Sequence, residues 1–329
     1  MNRFAFYIRK VYSFFSPLVT ETLKTSWVLF RIMIPVSIVV KILQELDLIK
    51  YIGIALYPMM KYVGLPGEMG FVWGTGMITN LFGGIIAYLS LAPTLLHPLS
   101  VAQITILSSM MLIAHSFPVE LQIASKSGSR LITMFVIRFG FAFVYGMILH
   151  AVFTLLHVCR DIPVINLAAQ KAARPGILFW LLSEVRHYLM IMLFIFSLLT
   201  LIKLMTKAGL INLLTRVLNP VLSKMGIGKN ATPITIIGLT LGITYGGALI
   251  IEQSKTLGIT KKEVLFSMVL MGLCHSLIED TLLMFSLGSS FTVILFGRLI
   301  FALLITWLFV KLSKKLSDKA FGFIFLNKR

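Results

Sequence analysis

The sequence predicts an all-α, polytopic helical membrane protein with about 8–10 membrane segments, several of them broken at glycines. Composition is the first reason, because 58% of the 329 residues are hydrophobic and only 13% are charged, which is unusual for a soluble chain. The second reason is that residues 69–119 contain no Asp, Glu, Lys or Arg, so at least two apolar helices fit there. Such stretches are too long for the strands of a membrane barrel, in which polarity alternates.

The net charge of +18 fits the same class. Lys and Arg residues that flank membrane helices orient them and contact anionic lipid, so membrane lipid is the expected partner and nucleic acid is not. Residues 1–26, in which basic and aromatic side chains are mixed, predict an amphipathic segment that lies in the membrane interface. Cys159 and Cys274 are too few for a disulfide framework and are expected to be inert.

A shift of 160 residues aligns two halves of the chain without a gap over their most polar part. His115 falls on His275, and Arg138 falls on Arg298. Shared apolar composition explains some matches between membrane segments, but it does not explain these polar ones. The alignment therefore predicts an internal duplication.

The predicted repeats are residues 27–158 and 187–310, two units of the same ancestry. An interfacial or cytoplasmic linker, 159–186, joins them, and a basic tail, 311–329, follows. The N-terminal segment, the linker and the tail are all basic, which favours one shared cytoplasmic side. That arrangement implies an even number of crossings in each repeat and argues against inverted repeats.

Each half contains a glycine-rich apolar stretch, with Gly83-Gly84 in the first and Gly246-Gly247 in the second. Glycine pairs weaken a helix, so they indicate either a break or a close approach of two backbones. Opened backbone at membrane depth is stable only inside protein or beside a water-filled cavity, where its dipoles can bind a solute. Polar neighbours favour a solute site here, namely Asn80, Thr244 and Tyr245.

A His-Ser pair followed by acidic residues lies deep in apolar sequence in both halves, which indicates function because ionisable groups are costly in a membrane. On a continuous helix His275 and Glu279 would share a face and could bind a metal or relay a proton. The first half has a valine at the corresponding place, so no metal site is predicted. The residues of this pattern are His115, Ser116, Glu120, His275, Ser276, Glu279 and Asp280.

Arg138 follows Glu120 by 18 residues, and Arg298 follows Asp280 by the same interval. In one interpretation each arginine pairs with its carboxylate across neighbouring helices and stabilises the bundle without contacting a substrate. In the other, the arginines bind a carboxylate or phosphate of the transported solute. The sequence leaves both interpretations open.

The stretch Gly64-Leu65-Pro66-Gly67-Glu68, followed by the glycine-rich run to Gly83-Gly84, resembles the nucleoside recognition, or Gate, domain family. The second half repeats a weaker version of this pattern. That family includes the gate segments of the ferrous-iron transporter, segments related to concentrative nucleoside transporters, and the spore maturation proteins A and B. The resemblance implies a stand-alone protein with two gate repeats that handles a small polar solute.

Together these features predict a permease that moves a small polar solute, nucleoside-like or anionic, through a site between the repeats. One alternative is a divalent metal ion transporter that uses His115, His275, Glu279 and Asp280. The other is a non-transporting membrane scaffold with a partner subunit. No enzyme motif is present in the sequence, so neither catalysis nor a cofactor is expected. A homo-oligomer or a partner membrane protein, in a bacterial inner (plasma) membrane, is the expected context. The predicted solute-binding residues are Asn80, Gly83, Gly84, His115, Ser116, Glu120, Thr244, Tyr245, Gly246, Gly247, His275, Ser276, Glu279 and Asp280.

Overall fold

The computed structural model describes residues 3–163, 176–254 and 256–327, which form helices joined by turns. Over these residues no strand forms, apart from an isolated bridge between Ser129 and Leu326. The predicted all-α polytopic membrane class is therefore confirmed. Five stretches of the described residues are long and apolar enough to cross a membrane, namely Phe15–Glu45, Val101–Lys126, Leu131–Leu156, Ile177–Leu201 and Val293–Ser313.

The same order of helices occurs twice along the chain. The first half contains α1 (Arg3–Glu45), α2 (Leu48–Met60), α3 (Glu68–Ile78), α4 (Leu81–Leu91), α5 (Val101–Ile113), α6 (Phe117–Lys126) and α7 (Leu131–Leu156). The second half contains α8 (Ile177–Lys207), α9 (Leu210–Lys224), α10 (Ala231–Leu241), α11 (Ile243–Gln253), α12 (Lys261–Leu273), α13 (Glu279–Ser286) and α14 (Arg298–Ser313). Short 3₁₀ turns follow α2 and α4, a π-helical turn (Val293–Gly297) leads into α14, and α15 (Asp318–Phe325) ends the fold.

The helices cross two of the predicted domain boundaries. Helix α1 continues through the boundary predicted between residues 26 and 27. The apolar stretch that is long enough to span a membrane begins before this boundary, at Phe15. Helix α8 begins at Ile177, inside the predicted linker 159–186. Residues 164–175 of that linker, like residues 1–2 and 328–329 of the predicted terminal segments, lie outside the described residues.

The glycine-rich stretches form two helical hairpins, α3 with α4 and α10 with α11. Each of these helices has 11 residues. Such a helix is about 16 Å long, roughly half of a bilayer core, so each hairpin enters and returns instead of crossing. Glycines let the two arms touch: a Cβ built on Gly84 would lie 3.1 Å from the Gly76 Cα, and one built on Gly246 would lie 2.5 Å from the Gly238 Cα.

Helices α5 and α6 form one broken helix, and α12 and α13 form its counterpart. Both begin with a capping box, made by Ser100 with Gln103 and by Thr260 with Glu263. Both are interrupted after 13 residues by a turn with a left-handed serine, Ser116 at φ 50° and Ser276 at φ 46°. The His-Ser pairs of the sequence therefore lie at helix breaks and not on continuous helices.

The two broken helices run in opposite directions. The Ser290 amide donates a hydrogen bond of 2.8 Å to Thr105, so the end of the second broken helix lies beside the start of the first. At the other end, Lys261 at the start of α12 shares a polar cavity with Lys126 at the end of α6. The repeats are thus inverted, and the expectation of parallel repeats is wrong. It assumed an even number of crossings, whereas the first half contains three candidate spans and a hairpin that does not cross.

The predicted basic tail is partly ordered against the first half. The Arg130 amide donates to the Phe325 carbonyl (2.8 Å), and the Asn327 amide donates to the Gly128 carbonyl (3.0 Å). Lys262 pairs with Asp318 at 2.6 Å, and this hydrogen bond lowers the pKa of the Asp318 carboxyl. Helix α15 and the residues after it therefore contact both the α6–α7 turn, through hydrogen bonds, and the start of α12, through an ion pair.

Gly246→Ala should destabilise the protein by about 1–3 kcal/mol, because its Cβ would push the two arms of the second hairpin apart. The measurement is thermal unfolding of the purified protein in detergent. Gly140→Ala is the matched control: it lies in α7 with nothing within 4 Å of the added Cβ, so it should be neutral or stabilising. Equal stability of the two variants would contradict the hairpin packing.

Candidate functional site

The two helix breaks meet at one buried point between the repeats. The His115 Nε2 lies 3.4 Å from the His275 Nε2. A carboxylate oxygen of Glu120, Oε1, lies 3.3 Å from the first ring nitrogen and 3.4 Å from the second. The three side chains are buried, with exposed fractions of 5%, 2% and 6% for His115, His275 and Glu120. Their three polar atoms form a nearly equilateral triangle.

Hydrogen bonding places a hydrogen on the Nδ1 atom of both rings. The Nδ1 of His115 bonds the Met111 carbonyl at 2.8 Å, and the Nδ1 of His275 bonds the Met271 carbonyl at 2.7 Å. A carbonyl only accepts, so each Nδ1 carries a hydrogen, and a neutral ring then has a lone pair on Nε2. Two lone pairs and a carboxylate oxygen face each other in a buried space. This arrangement is favourable only with a cation among the three atoms, either a metal ion or a proton.

The dimensions of the triangle match those of a metal site. Nitrogen and oxygen ligands bind Zn²⁺ tetrahedrally at about 2.0–2.2 Å, so two such ligand atoms lie about 3.3–3.5 Å apart. The three observed separations are 3.3, 3.4 and 3.4 Å. Asp280 adds a fourth group, since ligand atoms of His115, His275 and Asp280 all lie within 4.8 Å of one another. Two imidazoles with carboxylates are a ligand set that suits Zn²⁺ and Fe²⁺.

Arg138 holds Glu120 in position beside the two histidines. Its Nη1 pairs with the Glu120 Oε2 at 2.6 Å, which leaves the other carboxylate oxygen facing the histidines. Its Nε and Nη2 donate to the carbonyls of Ile113 (2.9 Å) and His115 (3.1 Å), at the open end of α5. One arginine thus holds the carboxylate and also satisfies the backbone that the break exposes.

The two hairpins and the short helices α6 and α13 form the rest of the environment of the triangle. The Ser116 amide donates to the Gly76 carbonyl (3.0 Å), and the Leu277 amide donates to the Leu239 carbonyl (2.8 Å), so each hairpin is bonded to one break. Glu120 lies in the first turn of α6 and Asp280 in the first turn of α13. The partial positive charge of each helix N-terminus stabilises these acidic groups.

The second predicted ion pair is not formed. Arg298 is fully buried and donates from Nη2 to the Thr281 hydroxyl at 3.4 Å. In the described part of the chain its Nε and Nη1 have no hydrogen-bond partner, and no ion pair joins it to Asp280. The two halves therefore differ at equivalent positions.

Other predicted solute-binding residues have other roles in the structure. Thr244 and Tyr245 are exposed, and the Asn80 side chain caps α4 by accepting from the Gly83 amide (2.9 Å). The glycine pairs are buried in helix packing. The proposed helical pairing of His275 with Glu279 is wrong, because the chain breaks after α12 and α13 begins only at Glu279.

Asp280, which the sequence analysis names among the solute-binding residues, lies near His275 in the structure, and the shift of 160 places it opposite Glu120. Sequence reasoning missed one feature of the cluster. The carbonyls that fix the two rings had no sequence signal, because any residue supplies a carbonyl.

Arg138→Gln should destabilise the protein by about 3–5 kcal/mol, because Glu120 would remain as a buried and unpaired charge. The double variant Glu120→Gln/Arg138→Gln should recover part of this loss, since it removes both charges. Thermal unfolding in detergent measures both effects. Lys41→Gln, at the partly exposed Lys41–Glu45 pair, should change stability by less than about 1 kcal/mol. A double variant as unstable as the sum of its single variants would contradict the pairing.

The chain was compared with known proteins at the level of families, sequences and structures. No protein-family model matches it, and no solved structure matches it. A relative is the uncharacterized membrane protein YvoD of Bacillus subtilis (strain 168), which is 26% identical over 304 residues, covering 91% of this chain and 95% of the relative. The Gate family resemblance stays a prediction. The relative and the apolar helices together identify the chain as an integral membrane protein.

Proposed function

We propose that this protein is a transporter that binds a divalent transition-metal ion at the triangle of His115, His275 and Glu120. The observation that carries the proposal is the convergence of two ring lone pairs and one carboxylate oxygen at separations of 3.3–3.4 Å. The metal ion is the cargo here and not a resident cofactor. Asp280 lies close enough to the two histidines to serve as a further ligand.

The electrostatics of the cluster favour a cation over the nucleoside-like or anionic solute that the sequence suggested. An anion needs donors at its site, and the groups that face the central space are acceptors. Arg138, the donor in the first half, forms an ion pair with Glu120 and donates to two carbonyls. Exposed Thr244 and Tyr245 do not contribute donors to this space.

The architecture supports movement of the ion across the membrane. Broken helices from inverted repeats that meet at mid-membrane are typical of secondary transporters, in which the repeats rock or gate around a fixed site. Here the site lies where two opposed breaks meet, and each break is bonded to a hairpin that enters from one side. A hairpin that withdraws would open the site to that side. A bacterial inner membrane is the proposed location.

The proposal is tested by metal binding to the purified full chain in detergent. Calorimetric titration with Zn²⁺ and Mn²⁺ and the absorption spectrum with Co²⁺ should show stoichiometric binding in a tetrahedral environment. An ion at about 100 times its Kd should stabilise the protein by about 2.7 kcal/mol. His275→Gln should lose at least about tenfold in affinity and should abolish metal uptake by proteoliposomes.

Glu279→Gln is the matched control, because it removes a neighbouring carboxylate that does not belong to the cluster. It should bind the ion like the unmodified chain. The proposal fails if none of these ions binds stoichiometrically. It also fails if His275→Gln and Glu279→Gln bind with the affinity of the unmodified chain.

A further inference from the structure

Arg298 differs from its repeat counterpart at every contact. Arg138 bonds the carbonyls of Ile113 and His115 and the carboxylate of Glu120. At the shift of 160 the corresponding partners of Arg298 would be two carbonyls, of Leu273 and His275, and the carboxylate of Asp280. In the described residues Arg298 bonds none of them and reaches only the Thr281 hydroxyl.

A π-helical turn explains the difference. Residues Val293–Gly297 are π-helical, and the Arg298 amide donates to the Val293 carbonyl, five residues back. A π turn holds more residues per turn than an α-helical one, so it rotates the following side chains relative to the preceding ones. Helix α7, which carries Arg138 at the equivalent place, is α-helical throughout. The π turn therefore turns Arg298 away from Asp280.

The first half stabilises this π turn. The Tyr145 hydroxyl on α7 donates to the Val293 carbonyl at 3.4 Å. It occupies space that only a glycine leaves free, because a Cβ on Gly297 would lie 2.6 Å from this hydroxyl. The π turn is thus part of a contact between the two repeats. This contact lies on the surface along which the repeats would move past each other if the site opened.

This arrangement is costly for Arg298, which is fully buried and whose Nε and Nη1 nitrogens have no hydrogen-bond partner among the described residues. With an ordinary α-helical turn over residues 293–297, Arg298 would have the position that Arg138 has in its own half. In this structure the Asp280 carboxylate lies near the histidines, since ligand atoms of His115, His275 and Asp280 all lie within 4.8 Å of one another, and in the described residues no ion pair joins it to Arg298.

We propose that Arg298 controls ion release by exchanging places with the ion at Asp280. With the π turn formed, Asp280 faces the histidines and the site binds the ion. With the turn α-helical, Arg298 pairs with Asp280, the ion loses a ligand, and it leaves. This inference rests on the proposed function, and it makes Arg298 a positioning residue that does not contact the ion.

The test measures Zn²⁺ affinity and transport in two variants. Their Zn²⁺ affinities should change in opposite directions. Arg298→Gln removes the competitor for Asp280, so Zn²⁺ affinity should rise about tenfold while proteoliposome uptake falls. Tyr145→Phe removes the bond that supports the π turn, so Zn²⁺ affinity should fall. Arg298→Lys keeps the charge and should restore part of the uptake. Arg216→Gln, at an exposed arginine of α9, should change neither.

A second measurement needs no metal. A double-mutant cycle is measured in the presence of a chelator, from the melting temperatures of Asp280→Asn, Arg298→Gln and the double variant. If the two residues pair, the melting temperature of the double variant should fall by less than the sum of the two single decreases. Strictly additive losses overturn the inference. So does an unchanged or lowered affinity of Arg298→Gln in a chain that binds Zn²⁺. Absence of Zn²⁺ binding by the unmodified chain would instead overturn the proposed function, and the cycle would still test the pair.

Discussion

The need to satisfy open backbone at membrane depth organises this structure. Two helices stop in the middle of the protein, at Ser116 and Ser276, and expose carbonyls and amides where no water is available. The protein supplies partners from within: Arg138 bonds the carbonyls at the end of α5, and the hairpin carbonyls of Gly76 and Leu239 accept from amides of the breaks. The hairpins, the arginine and the inverted packing all follow from that requirement.

The same requirement places the chemistry. A break lets a histidine leave the helix surface and face the opposite repeat, where a continuous helix would point it at a neighbour in its own half. Because the repeats are inverted, two breaks face each other and bring His115 and His275 to 3.4 Å. The ring orientations are set by carbonyls of the turns just before the breaks, at Met111 and Met271. The proposed cation site is thus a consequence of how the helices end.

The site is assembled from equivalent positions but is not symmetric. Glu120 is anchored by Arg138, whereas Asp280 has no such anchor and Arg298 lies one π turn out of place. In the proposed transport, a symmetric site would hold both carboxylates equally and would give the ion no preferred route of release. The half with the anchored carboxylate would then be the rigid part of the site, and the other half would supply a ligand that moves.

The sequence by itself determined the membrane class, the duplication and the functional candidates. Apolar runs without charges are unstable in water and require a bilayer, and the shift of 160 exposed His115 with His275 and Arg138 with Arg298. These inferences depend only on composition and on spacing along the chain.

Only the tertiary structure decided which of these residues meet. The sequence favoured parallel repeats and a His275–Glu279 pair, but the chain forms inverted repeats and joins His275 to Glu120 and Asp280. It also pairs Glu120 with Arg138, whereas in the described residues no ion pair joins Arg298 to Asp280, although both arginines have the same spacing from a carboxylate. The reason is physical: direction across the membrane, a helix break and a π turn are set by packing between distant segments, and local sequence does not encode them.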